Sequence, residues 1–169
     1  MKFAIYSFVV MAVVNAPLQG VSQDTASRSK QVTSTAPFRI FNPETIAKPT
    51  GYSHVAEVSD GKIVYIAGQV ALDRAGNLVG KDDLRAQTQQ VFENLKSAVQ
   101  AAGGDFSSVV KLNYYCAESV DPAQITAVRE VRDKFVNTSS PPVSTFVFVK
   151  RLVRPEWLIE VEAVAVVKK

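Results

Sequence analysis

Residues 157–167 read WLIEVEAVAVV, eleven positions of which only Glu160 and Glu162 are polar. Side chains two apart in a strand point to the same side. One side then carries Trp157, Ile159, Val161, Ala163 and Ala165, small enough towards its end for helices to approach. The other carries Leu158, Glu160, Glu162, Val164 and Val166, apolar apart from the two acids. A strand apolar on both sides belongs in a sheet covered on both faces. Two helices can cover one face; the other, apolar and unhelixed, is expected to meet another subunit, with the carboxylates near that interface.

The remaining chain supplies the other elements. GKIVYIAGQ, residues 61–69, is a β-branched and aromatic run, and Ser59, Asp60 and Gly61 have the turn chemistry to fold it back on residues 54–58 as a hairpin. Gly76, Asn77 and Gly80 mark a loop. Leu84, Thr88, Val91, Leu95, Ala98, Val99 and Ala102 then fall on one helical stripe, started by Asp82 or Asp83 and ended by Gly103 and Gly104. Residues 108–116 read as a strand. A capped helix start follows at Asp121, Pro122 and Gln124, with Ile125, Val128, Arg132 and Phe135 as a second stripe that Pro141 and Pro142 break. Residues 143–152 and 157–167 read as two long strands joined through 153–156. Two or three strands, helix, strand, helix, two strands, with the strands closed by hairpins, predict an α+β layered domain with both helices on one face of its sheet.

The N-terminus has a different character. A basic start at Lys2, the apolar run FAIYSFVVMAVV and the small residues Gly20 and Ser22 have the three regions of a secretory signal peptide, too short to span a bilayer as a permanent anchor. Cleavage is expected after Ser22, with Ala16 the poorer choice because Pro17 follows. The chain is thus expected to be exported, to the periplasm or the medium, and free of the membrane once cut. Residues 23–37 form a polar, Ser/Thr-rich leader, and 38–169 one domain. Losing Lys2 leaves 18 basic against 16 acidic side chains, too even a balance to advertise a nucleic-acid surface. With one cysteine, Cys116, and one histidine, His54, no Cys-based metal site and no intrachain disulfide can form.

Five collinear segments, NPETIAKPTGYSH, VYIAGQVALDRAGNLVG, QTQQVFENLKSAVQAAGG, VVKLNYYCAESVD and PPVSTFVFVKRLVRPEWLIEVEAVAV, resemble the Rid family, the reactive intermediate deaminases also called the YjgF family. The resemblance implies a chorismate-mutase-like α+β fold, a homotrimer, and a ligand cleft between neighbouring subunits. It also implies hydrolysis of enamines and imines to a keto acid and ammonia, with neither cofactor nor metal. Carried over by position, the glutamate that orients the attacking water falls on Glu160, the cleft-closing tyrosine on Tyr52, and the backbone amide that helps fix the substrate carboxylate on Thr145. The arginine that grips this carboxylate falls on Val143. Ala67 stands where the family has a serine before Gly68 and Gln69, and Arg129 where it has an asparagine.

Each residue has a functional and a plain reading. Glu160 either holds a water or pairs with a cation such as Arg129 or Arg151 at an interface; Glu162 is expected in a structural ion pair. Tyr52 lines the cleft or is an interface aromatic, and His54 is a general base or a surface residue. Arg129 replaces the lost anchor or belongs to a solvated helix face in which Glu130, Arg132, Asp133 and Lys134 pair locally. Gln69 serves backbone geometry or touches ligand, and Cys116 is a small buried hydrophobe. Three readings of function follow: an imine or enamine hydrolase with altered substrate preference, a non-catalytic small-molecule-binding homotrimer, and a ribonuclease. The charge balance argues against the last.

Overall fold

The computed structural model describes residues 36–169. The expected signal peptide, and the leader as far as residue 35, lie outside them. The elements are β1 (Phe38–Phe41), β2 (Val55–Val58), β3 (Lys62–Gln69), α1 (Leu84–Ala101), β4 (Val109–Ala117), α2 (Ile125–Arg132), β5 (Val143–Val149) and β6 (Ile159–Val167). Single turns of 3₁₀ helix at Phe106–Ser108 and Pro122–Gln124 lead into β4 and α2.

The main sheet has four strands in the order β3-β6-β4-β5. The apolar last strand therefore lies inside it, antiparallel to both neighbours. Ile159, Val161, Ala163 and Ala165 are buried against the helix layer, as the alternation required. Val91, Phe92, Leu95 and Val99 of α1 and Val128 and Val131 of α2 close the core over them. Asp83 caps α1 by accepting from the Ala86 amide at 3.0 Å, and Gly103, with φ +88°, ends it.

Two pairings differ from the sequence reading. β2 does not fold back on β3; it pairs antiparallel with β1, Phe38 opposite Val58, in a separate two-stranded ribbon. The Pro37 carbonyl takes the amides of both Ser59 and Asp60, so the turn is closed from the β1 side, and β3 spends its pairing on β6. β5 and β6 are not neighbours either, since β4 lies between them and runs parallel to β5. A parallel pair needs a crossover, and α2 is that crossover. Both strands are also shorter than read, β5 stopping at Val149 and β6 starting at Ile159.

The sheet face away from the helices carries Ile63, Tyr65, Val147 and Val164 around Glu160 and Glu162, with Tyr65 80% exposed. Asn113 Nδ2 donates to Glu162 at 2.6 Å and the Tyr115 hydroxyl at 3.2 Å. The expected ion pair of Glu162 is therefore replaced by neutral donors, because β4 presents those two side chains directly across the ladder. Among the described residues no helix is long and apolar enough to cross a membrane, and no cluster of His, Cys, Asp or Glu could hold a metal ion.

Candidate functional site

β5 is an edge strand, and the chain before β2 is laid along its free side. Ser53 bridges Val143 in parallel, and its amide donates to the Pro142 carbonyl at 3.3 Å. This fixes Tyr52 beside the first half of β5. His54 steadies the same segment: its amide donates to Asn42 Oδ1 and its Nε2 to the Ala47 carbonyl, both at 2.8 Å, while its ring stands edge-on to Tyr52 at 5.3 Å. An imidazole tied to a main-chain carbonyl in this way steadies the segment that carries Tyr52.

Two hollows adjoin around this edge, sharing Tyr52, Ser144 and Thr145. The one under α2, about 460 Å³, also carries Arg129, Arg132, Tyr114, Phe146 and Phe148. The other, about 410 Å³ on the bare sheet face, carries Val143, His54 and Lys111. Of the residues singled out from sequence, Tyr52, Thr145 and Arg129 thus come together, and Val143 sits across the edge from Arg129. Lys111 stands directly beside Val143 on β4, so a cation remains one strand away from the missing arginine. Its signal in the sequence was only its place in the VVKLNYYC strand.

Arg132 was read as a surface pair, and it does bind Asp133 at 2.6 Å. It is nevertheless only 13% exposed and donates to the Gly51 carbonyl at 2.6 Å, gripping the loop that carries Tyr52. Gly51 has φ +77°, and a Cβ there would come within 3.3 Å of the guanidinium. The clue was a cation on the apolar stripe of the second helix. Arg129, by contrast, has no ion pair or side-chain hydrogen bond among the described residues.

Glu160 lies elsewhere on the bare face, opposite Tyr115, at a β-bulge in which the β3 register slips between Ile66 and Gln69. Its carboxylate rests on Gly68, where a Cβ would lie 1.9 Å from Oε1, so any side chain there would push the carboxylate out of this position. Half-buried and without a hydrogen-bond partner, it has its pKa raised first by desolvation and then by the Glu162 charge. Gln69 turns its amide back to the Ala67 carbonyl at 3.1 Å, which leaves it in the bulge rather than in either hollow. Cys116 is fully buried, its thiol pushed up to about 11 by desolvation, an inert core residue.

A mixed sheet with two helices on one face, an edge-strand hollow and an unpaired acid at a bulge describe an α+β layered domain. The chain matches the family described as Endoribonuclease L-PSP over residues 43–167. It is 36% identical to the protein DfrA of Myxococcus xanthus over 115 residues, 68% of this chain and 84% of that one. A 2-iminobutanoate/2-iminopropanoate deaminase of Dermatophagoides farinae is 31% identical over 134 residues, 79% of this chain and 99% of that protein. The crystal structure of a Rid-family protein, YyfB of Yersinia pestis, superimposes with a TM-score of 0.70 at 38% identity, covering 78% of this chain and all of that one. The chain belongs to the Rid (YjgF) family.

Proposed function

We propose that the protein is an exported, homotrimeric Rid-type hydrolase that cleaves an imine or enamine with Glu160 as the water-positioning base. The observation that carries this reading is the setting of Glu160: an unpaired, half-buried carboxylate packed on Gly68, with its pKa raised by desolvation and by the Glu162 charge. Water adds to the carbon of the C=N bond while giving a proton to the Glu160 carboxylate, which passes it to the imine nitrogen to form the carbinolamine. On collapse the hydroxyl proton travels by the same carboxylate to the amino group, the C–N bond breaks, and ammonia leaves the carbonyl behind with Glu160 ionised again.

Strand geometry supports a site shared between subunits. From Tyr115, beside Glu160, to Lys111, beside Val143, is four residues along β4, and two strand spacings lie across. Glu160 and Val143 of one chain are thus about 16 Å apart, too far for one small substrate to touch both. A neighbouring subunit docked on the bare face would bring its own edge hollow to Glu160, which also gives Ile63, Tyr65 and Val147 their cover. Light scattering should return three times the mass of one chain; a monomer would defeat this arrangement.

Loss of the family's arginine at Val143 sets the substrate preference. A bidentate guanidinium–carboxylate contact is worth on the order of 1.5–3 kcal/mol, roughly ten- to a hundredfold in affinity. Small imino acids freshly generated from amino acids are therefore poor substrates of the native chain. Val143→Arg should raise ammonia release from them at least about tenfold, because its guanidinium would join Lys111 on one carboxylate. Equal rates in the two proteins would count against the proposal. The family's endoribonuclease description gains no support from hollows of this size, which carry few cations.

A further inference from the structure

The hollow under α2 is larger and more aromatic than a three- or four-carbon imino acid requires. Benzene fills a cavity on the order of 150 Å³, whereas this one has about 460 Å³. Its walls are Tyr52, Tyr114, Phe146 and Phe148, with Ile125 and Val128 from the helix above. Tyr114 and Phe146 stack at 5.3 Å, and Phe148 meets Phe146 edge-on at 5.8 Å. Phe148 is nonetheless 43% exposed, because the eight-residue α2 does not cover it.

Charge in the hollow is one-sided. No carboxylate lines it, and its two cations are Arg129 and Arg132. Asp133 balances Arg132, which is also committed to Gly51. Arg129 is thus the guanidinium free to take an anion, next to an open aromatic wall.

We propose that this hollow binds a monocarboxylate bearing an aromatic ring, a 2-oxo or 2-imino acid of the arylpyruvate type, with its carboxylate on Arg129 and its ring against Phe148 and Tyr52. This rests on the reading of the edge hollow as the substrate side of the Rid-type site, and it makes Arg129 the specificity-determining cation where Val143 has none. An aromatic ring gains from edge-to-face contacts that an aliphatic side chain does not make.

Calorimetric titration of the full-length protein with phenylpyruvate, pyruvate and acetophenone tests the proposal. Phenylpyruvate should bind at least about tenfold more tightly than either of the others, which carry only the acid or only the ring. Arg129→Gln should cost phenylpyruvate roughly tenfold and leave acetophenone unchanged. Phe148→Ala, at an exposed position that the core does not need, should weaken both ring-bearing probes and leave pyruvate unchanged. Equal binding of pyruvate and phenylpyruvate, or an Arg129→Gln variant that binds phenylpyruvate as the native chain does, would overturn it. Selective phenylpyruvate binding without turnover of any imine would support this inference while removing the hydrolase reading. Turnover that ignores the ring would do the reverse.

Discussion

Glu160→Gln is expected to lower the rate of imine hydrolysis by roughly 10²–10⁴-fold, the usual loss when a positioned general base is removed, with the fold intact. The amide is isosteric and has no partner to lose, since the carboxylate makes no hydrogen bond among the described residues. Relief of an unpaired, half-buried charge should leave the variant at least as stable as the native protein. Gly68→Ala should reproduce much of the activity loss by another route, because its Cβ takes the space that Oε1 occupies. Ammonia release from freshly generated imines measures both, and a Glu160→Gln variant with native turnover ends the case for this residue.

The pH dependence follows from the same environment, with two opposite signs. Desolvation, followed by the Glu162 charge, raises the folded-state pKa of Glu160 above the ordinary carboxylate value. The folded chain then holds this proton more tightly than the unfolded one, so the stability penalty is absent at low pH. It sets in as pH rises from the unfolded value through the folded value. Activity needs the carboxylate and should rise with pH through that same folded value. The acid limb of kcat/KM should therefore be shifted up from where an unperturbed glutamate would put it, and move down in Glu162→Gln, which removes the second cause.

The largest effect on stability is expected at Gln87. This side chain is fully buried, and its Nε2 donates to the carbonyls of Gly80 at 3.1 Å and Glu156 at 2.8 Å. Its Oε1 accepts the Leu158 amide at 2.8 Å. It thereby clamps the loop before α1 to the chain leading into β6. Gln87→Leu would leave the Glu156 carbonyl and the Leu158 amide without partners, the Gly80 carbonyl keeping the Asp83 amide, at about 1–3 kcal/mol each before relaxation, and should cost about 2–4 kcal/mol in total. Urea unfolding and a fall in Tm of about 10 °C or more would register it. A loss under about 1 kcal/mol would show that water replaces the side chain at no cost.

Much of this was legible in the chain itself. The alternation in WLIEVEAVAVV placed Ile159, Val161, Ala163 and Ala165 on the helix side and both glutamates on the other, because the period of a strand is a local property. The helix stripes and a cap at Asp82 or Asp83 were legible from local chemistry too, and the structure decided for Asp83. The position of Glu160 came with the family resemblance, and the structure added that Gly68 lies beneath it.

Strand partners and the company kept by each site residue were settled only by the tertiary structure. Residues 54–58 could pair equally well by local chemistry with the strand before or after them; the Pro37 carbonyl and the long β6 ladder made the choice. The gathering of Tyr52, Thr145 and Arg129 depends on Ser53 docking along an edge strand some 90 residues further on, which no local period records. Arg132 looked like a helix-surface ion pair because its second partner is the carbonyl of Gly51, 81 residues away. Sequence fixes what repeats along the chain; which distant groups satisfy one another is set by how the layers close.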